Sequence, residues 1–459
     1  MKRAPGRATT LVVAMSPQEE RIARAARPLF GAVVRPIQAF FRLEAASGIV
    51  LLLCAVAALA WVNLLGAASF RAVFDEPIAL AVGDATIRFT PLRLVNDALM
   101  TVFFFLVGME IKRELTVGEL RTRSQAMLPA IAALGGMIAP AAIFLFVNAG
   151  TPGQAGWGIP MATDIAFCVG VLTLLRRRVP HALVVFITAL AIFDDIGGIL
   201  VIAVFYGGRL DARWLVAAAA VCAVLFAMSR RYVQSAAAYV LAGALLWYAL
   251  HAGGVHATIA GVVLGLAIPA RAKSAPREVL EALSERTEAL LSRPSDEACD
   301  AEAVMALGER IDELEPLLDR FVHRLHPWVA FGIMPLFALA NSGVDLRGLA
   351  PAQVTGRVAL GVALALFAGK QLGIFLFTVA AVKLGLARFP GQASLAKVLG
   401  VSIVAGIGFT VALFIAALAY PADAALLDEA KLGILAGSLA SGVVGAAVLR
   451  LTPPVSSGP

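Results

Sequence analysis

Twelve apolar runs, most of them long enough to cross a bilayer as a helix, follow one another along the chain. They lie near residues 45–65, 92–110, 127–148, 156–175, 181–206, 213–229, 234–250, 255–270, 327–343, 358–382, 396–420 and 431–449. Polar segments separate them, and two of these segments have patterns of their own. The alternation predicts an all-α polytopic membrane protein with about twelve transmembrane helices.

The polar segment between the first and second runs predicts a small β-hairpin. Pro77 to Val82 and Ala85 to Phe89 flank Gly83-Asp84, which has the composition of a two-residue turn. A plain loop is the alternative. A hairpin outside the membrane has unpaired edges, so residues 76–90, expected on the periplasmic side, can pair with a second copy of the chain.

The other patterned segment, residues 273–320, is acidic and contains thirteen Asp and Glu. Leu307, Ile311, Leu314 and Leu318 recur at helical spacing within it. The pattern predicts a cytoplasmic helical insert that is broken near Pro294. A solvated amphipathic excursion is the simpler interpretation, and a regulatory element is the alternative.

Composition and charge support a membrane protein and indicate its orientation. Of 459 residues, 60% are hydrophobic and 15% are charged, and the mean hydropathy is +0.86. The net charge of +7 does not indicate nucleic-acid binding, because Lys and Arg lie mostly in short loops between apolar runs. The basic loops contain Lys112, Arg113, Arg121 and Arg123; Arg176 to Arg178; Arg230 and Arg231; Arg271 to Arg324; and Lys383 and Arg388.

These loops alternate with loops poorer in basic residues, in which Arg71, Arg88, Arg209 and Arg347 are the clearest exceptions. Residues 1–43 carry eight Lys and Arg against two Glu. By the positive-inside rule, both termini are expected in the cytoplasm. The predicted organisation is a cytoplasmic tail over 1–43, a membrane domain over 44–452 and a C-terminal tail over 453–459.

The cysteines suggest neither cross-links nor a metal centre. Cys54, Cys168, Cys222 and Cys299 are isolated in the sequence, and three of them lie inside apolar runs. No two have the spacing of a CxxC or metal-ligand motif. We expect free thiols and no bound cofactor.

Two adjacent carboxylates, Asp194 and Asp195, stand in the middle of the apolar run from Ala182 to Phe205. A charged residue at the centre of a membrane helix costs roughly 2.5–3.5 kcal/mol on insertion scales. A loop misread as a helix is the alternative, but both flanks of the pair are apolar. The pair therefore predicts a site for a cation or a proton.

Two other runs have features that break helices. Pro160 precedes Thr163 and Asp164 in one run, where it interrupts helical hydrogen bonding; an ordinary kinked helix is the alternative. Gly406 and Gly408 interrupt a run in the other half of the chain. Such a pair of interrupted spans is typical of transporters built from inverted repeats.

Lys370, near the middle of its own run, is the fourth candidate. A buried ammonium needs a partner, and the interpretation left open is either one of Asp194 and Asp195 or the C-terminus of a broken helix. A lysine that snorkels to the interface is the alternative. Broken helices bring like partial charges together, which Asp164 and Lys370 are suited to offset.

This set of groups favours Na+ as the bound ion. A small hard cation prefers oxygen ligands, which the two carboxylates, the Thr163 hydroxyl and freed backbone carbonyls supply. Adjacent carboxylates cannot both ionise cheaply in a low dielectric, so protons compete with the cation. Loading both Asp194 and Asp195 with protons in exchange for one Na+ makes such an antiport electrogenic.

At these residues the sequence resembles the NhaA-type Na+/H+ antiporters of bacterial inner membranes, over about residues 40–452. The matching segments are 96–100 (NDALM), 107–115 (VGMEIKREL), 162–167 (ATDIAF), 193–197 (FDDIG), 254–258 (GVHAT), 326–330 (HPWVA), 369–370 (GK) and 406–410 (GIGFT). The acidic insert and the basic N-terminal extension depart from the family pattern.

The resemblance implies that Asp194 and Asp195 bind Na+ or Li+ and protons, and that Lys370 pairs with Asp194. It implies that Thr163 and Asp164 lie where two unwound helices cross at the midplane, and that Na+ leaves the cell by alternating access. It also implies a homodimer through the hairpin. Family pH regulation would involve Glu110 and Arg113, and His256 is either a further regulatory residue or a structural histidine.

Three other classes of protein fit the sequence less well. An intramembrane aspartyl protease places its two aspartates on different helices, commonly with a GxGD element, whereas Asp194 and Asp195 are adjacent. A prenyl-chain enzyme wants DDxxD spacing, which Ile196 to Ile199 do not provide. A transporter that uses Na+ to carry an organic solute is the nearest rival, although few hydrogen-bonding or aromatic residues surround the site.

Overall fold

The computed structural model describes residues 44–82, 85–271, 284, 315–347, 355–389, 391 and 393–454. The predicted N-terminal tail, residues 455–459 and nearly all of the insert over 273–320 lie outside the described residues.

Each of the twelve apolar runs contains helix. In chain order the spans are Glu44–Ala60 with a π-turn at Trp61–Leu65; Pro91–Arg93, a π-turn at Leu94–Leu99 and Met100–Thr116; Arg123–Val147; Pro152–Met161 and Ile165–Leu174; His181–Phe205; Ala212–Arg230; Ala236–Ala252; Ile259–Ala267; Leu317–Trp328, a π-turn at Val329–Ile333 and Met334–Asn341; Arg357–Leu364, a π-turn at Ala365–Gly369 and Lys370–Lys383; Leu395–Val404 and Phe409–Ala419; and Ala424–Leu451. Two short helices, Ala67–Phe74 and Glu119–Arg121, lie between spans.

Length and composition support a multi-pass membrane protein. Over the described residues, seven helices are long and apolar enough to cross a membrane, and two bent pairs bring the number to nine. Ala236–Ala252 is apolar but shorter. The prediction of an all-α polytopic fold is confirmed.

Local sequence explains where several helices begin. Asp211, Ser235, Ser394 and Asp423 each accept a hydrogen bond from a backbone N–H in the first turn of the following helix. Such caps satisfy donors that would otherwise have no partner at a helix start. The apolar runs therefore start at polar residues near the membrane surface.

The extramembrane hairpin is present. Strands β1, Ile78–Val82, and β2, Ala85–Phe89, pair antiparallel with Ile78 opposite Phe89 and Val82 opposite Ala85. This register leaves two residues for the turn, as the sequence predicted, and it excludes the plain loop. The register leaves the outer edge of each strand without a partner strand among the described residues.

The two bent pairs occupy equivalent places in two runs of three spans. Arg123–Val147 and His181–Phe205 flank the first pair, whereas Arg357–Lys383 and Ala424–Leu451 flank the second. Arg123–Val147 runs antiparallel to its equivalent, Arg357–Lys383, because Gly135 lies against Gly373 whereas Phe144 lies against Gly361. The two runs are therefore inverted relative to each other, as the sequence predicted.

Close helix packing at glycines brings Lys370 toward the centre. Arg123–Val147 packs along Lys370–Lys383, and a Cβ added to Gly373 would lie 2.0 Å from the Gly135 carbonyl oxygen. Only glycine permits this approach of the two backbones, which is how membrane helices pack without a hydrophobic driving force. The same interface fixes the first turn of Lys370–Lys383 beside the first bent pair.

Candidate ion-binding site

The helix His181–Phe205, here called the aspartate helix, passes without interruption through Asp194 and Asp195. Both side chains are buried, with 1% and 6% of their surface exposed. Successive residues of an α-helix point about 100° apart, so the two carboxylates face different neighbours. The prediction that they lie on a membrane helix rather than in a loop is confirmed.

Asp194 is the more enclosed carboxylate and has two partners. Its Oδ2 accepts hydrogen bonds from Lys370 Nζ at 2.5 Å and from Thr163 Oγ1 at 2.7 Å. Its Oδ1 is buried and has no hydrogen-bond partner among the described residues. One face of Asp194 is thus satisfied, while the other has free lone pairs.

Asp195 lacks such partners. Across the part of the chain that the structure describes, no side chain or backbone donor bonds to its carboxylate. An unpaired charge at this depth costs several kcal/mol, so the group is expected to be neutral or to hold a cation. The pair therefore consists of one carboxylate fixed by protein contacts and one that is open to a ligand.

Lys370 has no exposed surface and makes both contacts that the sequence left as alternatives. Its ammonium pairs with Asp194 and also donates to the Met161 carbonyl oxygen at 2.6 Å. Met161 ends the helical segment Pro152–Met161, so this carbonyl belongs to the negative end of a broken helix. A snorkelling lysine is excluded.

The first broken span consists of Pro152–Met161 and Ile165–Leu174, bent by 45°. The break lies at Ala162 to Asp164, where the backbone is extended. Pro160 lies inside the first half, two residues before the break, and Asp164 lies in the unwound segment. The first half is not an α-helix but two short 3-10 segments that meet at a kink at Gly156.

The second broken span consists of Leu395–Val404 and Phe409–Ala419, bent by 46°. Gly406 and Gly408 both lie in the break, as predicted. A Cβ on Gly406 would come within 2.6 Å of the Leu366 carbonyl oxygen, so only glycine fits there. Ser438 Oγ, from Ala424–Leu451, accepts hydrogen bonds from the N–H groups of Gly408 and Phe409.

The two breaks contact each other directly. Asp164 N donates to the Ile407 carbonyl oxygen at 2.7 Å, and Thr163 Oγ1 lies 3.1 Å from the Ala405 carbonyl oxygen. These contacts join the extended segment of one span to that of the other. The predicted crossing of two broken helices is confirmed, and continuous helices are excluded.

Asp164 satisfies the N-terminal ends of both second halves. Its Oδ1 accepts from Phe167 N, and its Oδ2 accepts from Thr410 N and Thr410 Oγ1 at 3.1 and 2.5 Å. A carboxylate between two positive helix ends offsets their partial charges. Sequence reasoning proposed this for Asp164 but missed Thr410 and Ser438. Thr410 could have been found as the first-turn hydroxyl after Gly408, whereas Ser438 had no signal.

The candidate regulatory residues fall into two places. Arg113 Nε lies 3.7 Å from Asp319 Oδ1, and Glu110 is on the same helix as Arg113. That helix packs through Val107 and Ile111 against the half of the aspartate helix before Asp194.

His256 lies elsewhere, because its Nε2 bonds to the carbonyl oxygen of Tyr206 just beyond the other end of the aspartate helix. The helix that follows His256, Ile259–Ala267, packs along the Glu110 helix with Gly261 at Thr101 and Gly265 at Met109, so His256 lies toward the end of that helix opposite Glu110. The structure thus brings Glu110 and Arg113 together but not His256, whose contact suits a structural histidine.

Crossed broken spans, a buried carboxylate pair and a buried lysine define a polytopic secondary transporter of the inverted-repeat class. The sequence model of the family described as Na+/H+ antiporter 1 matches residues 38–449. The chain belongs to this family.

Similar proteins agree with that assignment. The "Na(+)/H(+) antiporter NhaA" of Anaeromyxobacter sp. (strain Fw109-5) is 68% identical over 430 residues, which cover 94% of each chain. The "Na(+)/H(+) antiporter NhaA 1" of Myxococcus xanthus (strain DK1622) is 58% identical over 422 residues, covering 92% of this chain and 94% of the relative.

Among solved structures, the sodium proton antiporter MjNhaP1 from Methanocaldococcus jannaschii at pH 8 is similar with a TM-score of 0.44 and 13% identity, over 88% of this chain and 97% of that one. The family match and the two relatives confirm the resemblance found in the sequence, and nothing in them supports the solute-coupled transporter.

Proposed function

We propose that this transporter exchanges Na+ for protons at Asp194 and Asp195, by alternating access across the crossing of the two broken spans. The observation that carries the proposal is the asymmetry of the pair. Asp194 is paired to Lys370 and Thr163, whereas Asp195 and one oxygen of Asp194 have no donor within the described residues. Free carboxylate oxygens at membrane depth suit a small hard cation or a proton.

Competition between Na+ and protons follows from the charge of the two carboxylates. With no Na+ bound, protons on both Asp194 and Asp195 take the place of the cation, and the Lys370 ammonium then keeps its contact with the Met161 carbonyl oxygen. A Na+ that binds between Asp194 and Asp195 needs both carboxylates ionised, so the protons must leave. Two carboxylates that each carry a proton in one direction, against one Na+ in the other, make the exchange electrogenic.

The remaining oxygen ligands would come from Thr163 and from the crossing. Thr163 Oγ1 already lies 2.7 Å from Asp194 Oδ2, and the breaks leave backbone carbonyls outside helical hydrogen bonding. Asp164 accepts three hydrogen bonds, so its principal role is to hold the two helix ends together. It contributes to the site through its charge.

Further parts of the proposal rest on the loops, the hairpin and the family. The alternating basic loops support a cytoplasmic location for both termini, in a bacterial inner-membrane protein that exports Na+ or Li+. The open edges of the hairpin favour pairing with a second copy, a homodimer. Glu110 and Arg113 remain the candidates for pH regulation.

The experiment is cation-induced collapse of an imposed pH gradient in everted membrane vesicles. Na+, Li+, K+ and choline are compared across pH for the wild type, Asp194→Asn and Asp195→Asn. We expect Na+ and Li+ to collapse the gradient in the wild type and to have no effect in either variant, because an amide cannot bind the cation or exchange the proton.

The matched control is Asp211→Asn, an exposed helix cap at which asparagine serves as well as aspartate. It should keep full exchange. Normal exchange by Asp195→Asn, with the protein inserted at wild-type level, would refute the site. A Na+ flux that requires an organic solute would instead support the solute-coupled rival.

A further inference from the structure

Two tyrosine hydroxyls hold the outer end of the 3-10 half-helix Pro152–Met161. Tyr206 Oη donates to the Ala155 carbonyl oxygen at 2.9 Å and accepts from Gly158 N at 3.1 Å. Tyr420 Oη donates to the Gly153 carbonyl oxygen at 2.6 Å. A half-helix with this irregular geometry is thus fixed by side chains from two other elements.

Those two elements are the aspartate helix, which holds Asp194 and Asp195, and the second broken span, which contacts Thr163 and Asp164. Tyr206 directly follows the aspartate helix, and Tyr420 directly follows the second broken span. The far end of the half-helix, Met161, is tied to Lys370 at 2.6 Å. About 18 Å of helix separates Asp194 from Tyr206. The half-helix is therefore held at the proposed site by Lys370 and at one end of the transporter by the two tyrosines.

The contacts are too close to accommodate anything larger than glycine. A Cβ added to Gly156 would lie 2.1 Å from Tyr420 Oη, and one added to Gly158 would lie 2.9 Å from Tyr206 Oη. Trp157 packs edge-on against Phe205 with ring centroids 5.0 Å apart. The half-helix is thus packed closely against both flanking elements at that end.

From these contacts, and resting on the antiport proposed above, we infer that Tyr206 and Tyr420 are positioning residues that latch this end of the transporter shut. Alternating access requires the latched end to open in part of the cycle, and the tyrosine hydrogen bonds must then break. Each net hydrogen bond shifts an equilibrium by about two- to tenfold. The two hydroxyls thus set how the transporter divides its time between its two open states.

The test compares Tyr206→Phe, Tyr420→Phe and the double variant with Tyr239→Phe. Tyr239 is fully buried, and its hydroxyl has no partner in the described part of the chain, so its removal matches the size of the change without breaking a bond. Phenylalanine keeps the ring packing and removes only the hydroxyl. All four variants are first checked for wild-type melting temperature.

The apparent KM for Na+ is measured from each face of the membrane, in everted and in right-side-out vesicles. Loss of the latch depletes the state open at the face opposite the tyrosines. We expect the KM at that face to rise by about two- to tenfold, and the KM at the tyrosine face to fall. Nonspecific damage would not move the two values in opposite directions. Equal shifts at both faces, no shift, or the same shifts in Tyr239→Phe would overturn the inference.

Amide hydrogen exchange over residues 152–161, measured in lipid nanodiscs, tests the latch without transport. Exchange should accelerate in the Tyr206 and Tyr420 variants and stay at the wild-type rate in Tyr239→Phe. If the wild type transports no Na+ at either face, the proposed function fails. The amide hydrogen-exchange measurement then decides by itself whether the two tyrosines hold the half-helix. Unchanged exchange in the double variant would show that the hydroxyls do not hold the half-helix.

Discussion

The two broken spans bend by nearly the same angle, 45° and 46°, but they are built from different chemistry. The first break contributes side chains, because Thr163 and Asp164 both bond across to the second span. The second break, around Gly406 and Gly408, contributes backbone groups, since the Ile407 carbonyl oxygen accepts from Asp164 N and Thr410 N donates to the Asp164 carboxylate. Neither break is therefore stable alone, because each supplies hydrogen-bonding groups that the other leaves without a partner.

Lys370→Ala removes the positive charge beside the first broken span and should have the largest effect on the stability of the protein. It removes the cation from both Asp194 and the Met161 carbonyl oxygen. Breaking a buried ion pair by removing one partner costs about 3–5 kcal/mol. We expect a clearly lower melting temperature of the purified protein and an altered pH profile of exchange.

Lys383→Ala is the matched control for that change, because Lys383 ends the same helix away from the site. It should leave both the melting temperature and the pH profile unchanged. If Lys370→Ala also left both unchanged, the ion pair of Lys370 with Asp194 would contribute neither to stability nor to the pH dependence of exchange.

Asp164→Ala tests the side-chain contribution of the first break. Three donors, Phe167 N, Thr410 N and Thr410 Oγ1, would lose their acceptor in a buried place. Each buried donor left unsatisfied costs roughly 1–3 kcal/mol, and this loss is partly offset because a buried carboxylate no longer has to be desolvated. The melting temperature should fall, although by less than in Lys370→Ala.

Asp164→Asn separates hydrogen bonding from charge at the same position. An asparagine caps a helix as well as an aspartate does, so we expect it to regain part of the stability that alanine loses. Exchange should nevertheless stay impaired, because the negative charge between the helix ends is gone. Wild-type exchange in Asp164→Asn would restrict Asp164 to a capping role.

Gly406→Ala tests the backbone contribution of the second break and should have the smallest effect of the three. The added Cβ would lie 2.5 Å from Ser441 Oγ and 2.6 Å from the Leu366 carbonyl oxygen. Such overpacking costs about 1–3 kcal/mol. Gly442→Ala is the control, because its nearest contact would be an ordinary 3.5 Å. Equal melting temperatures for the two variants would mean that the break tolerates a side chain.

Much of the candidate site could be predicted from the sequence, because charged residues in apolar runs are rare and costly. Asp194, Asp195, Asp164 and Lys370 stand out for this reason without any structure. Thr410, Ser438, Tyr206 and Tyr420 do not, since a hydroxyl is common in a membrane helix and its partner lies far away in the chain. Their roles depend on distances that only folding creates.

The sequence by itself determined the number and order of the spans, the hairpin and the identity of the buried charges. Those features follow from local hydrophobicity, turn residues and the cost of burying charge, which act within a few neighbouring residues. Only the tertiary structure decided which carboxylate Lys370 joins and that the two breaks meet through Asp164 and Ile407. It also showed that His256 lies far from Glu110. Such choices are set by contacts between segments distant in the chain, where each buried polar group takes the partner that packing places within its reach.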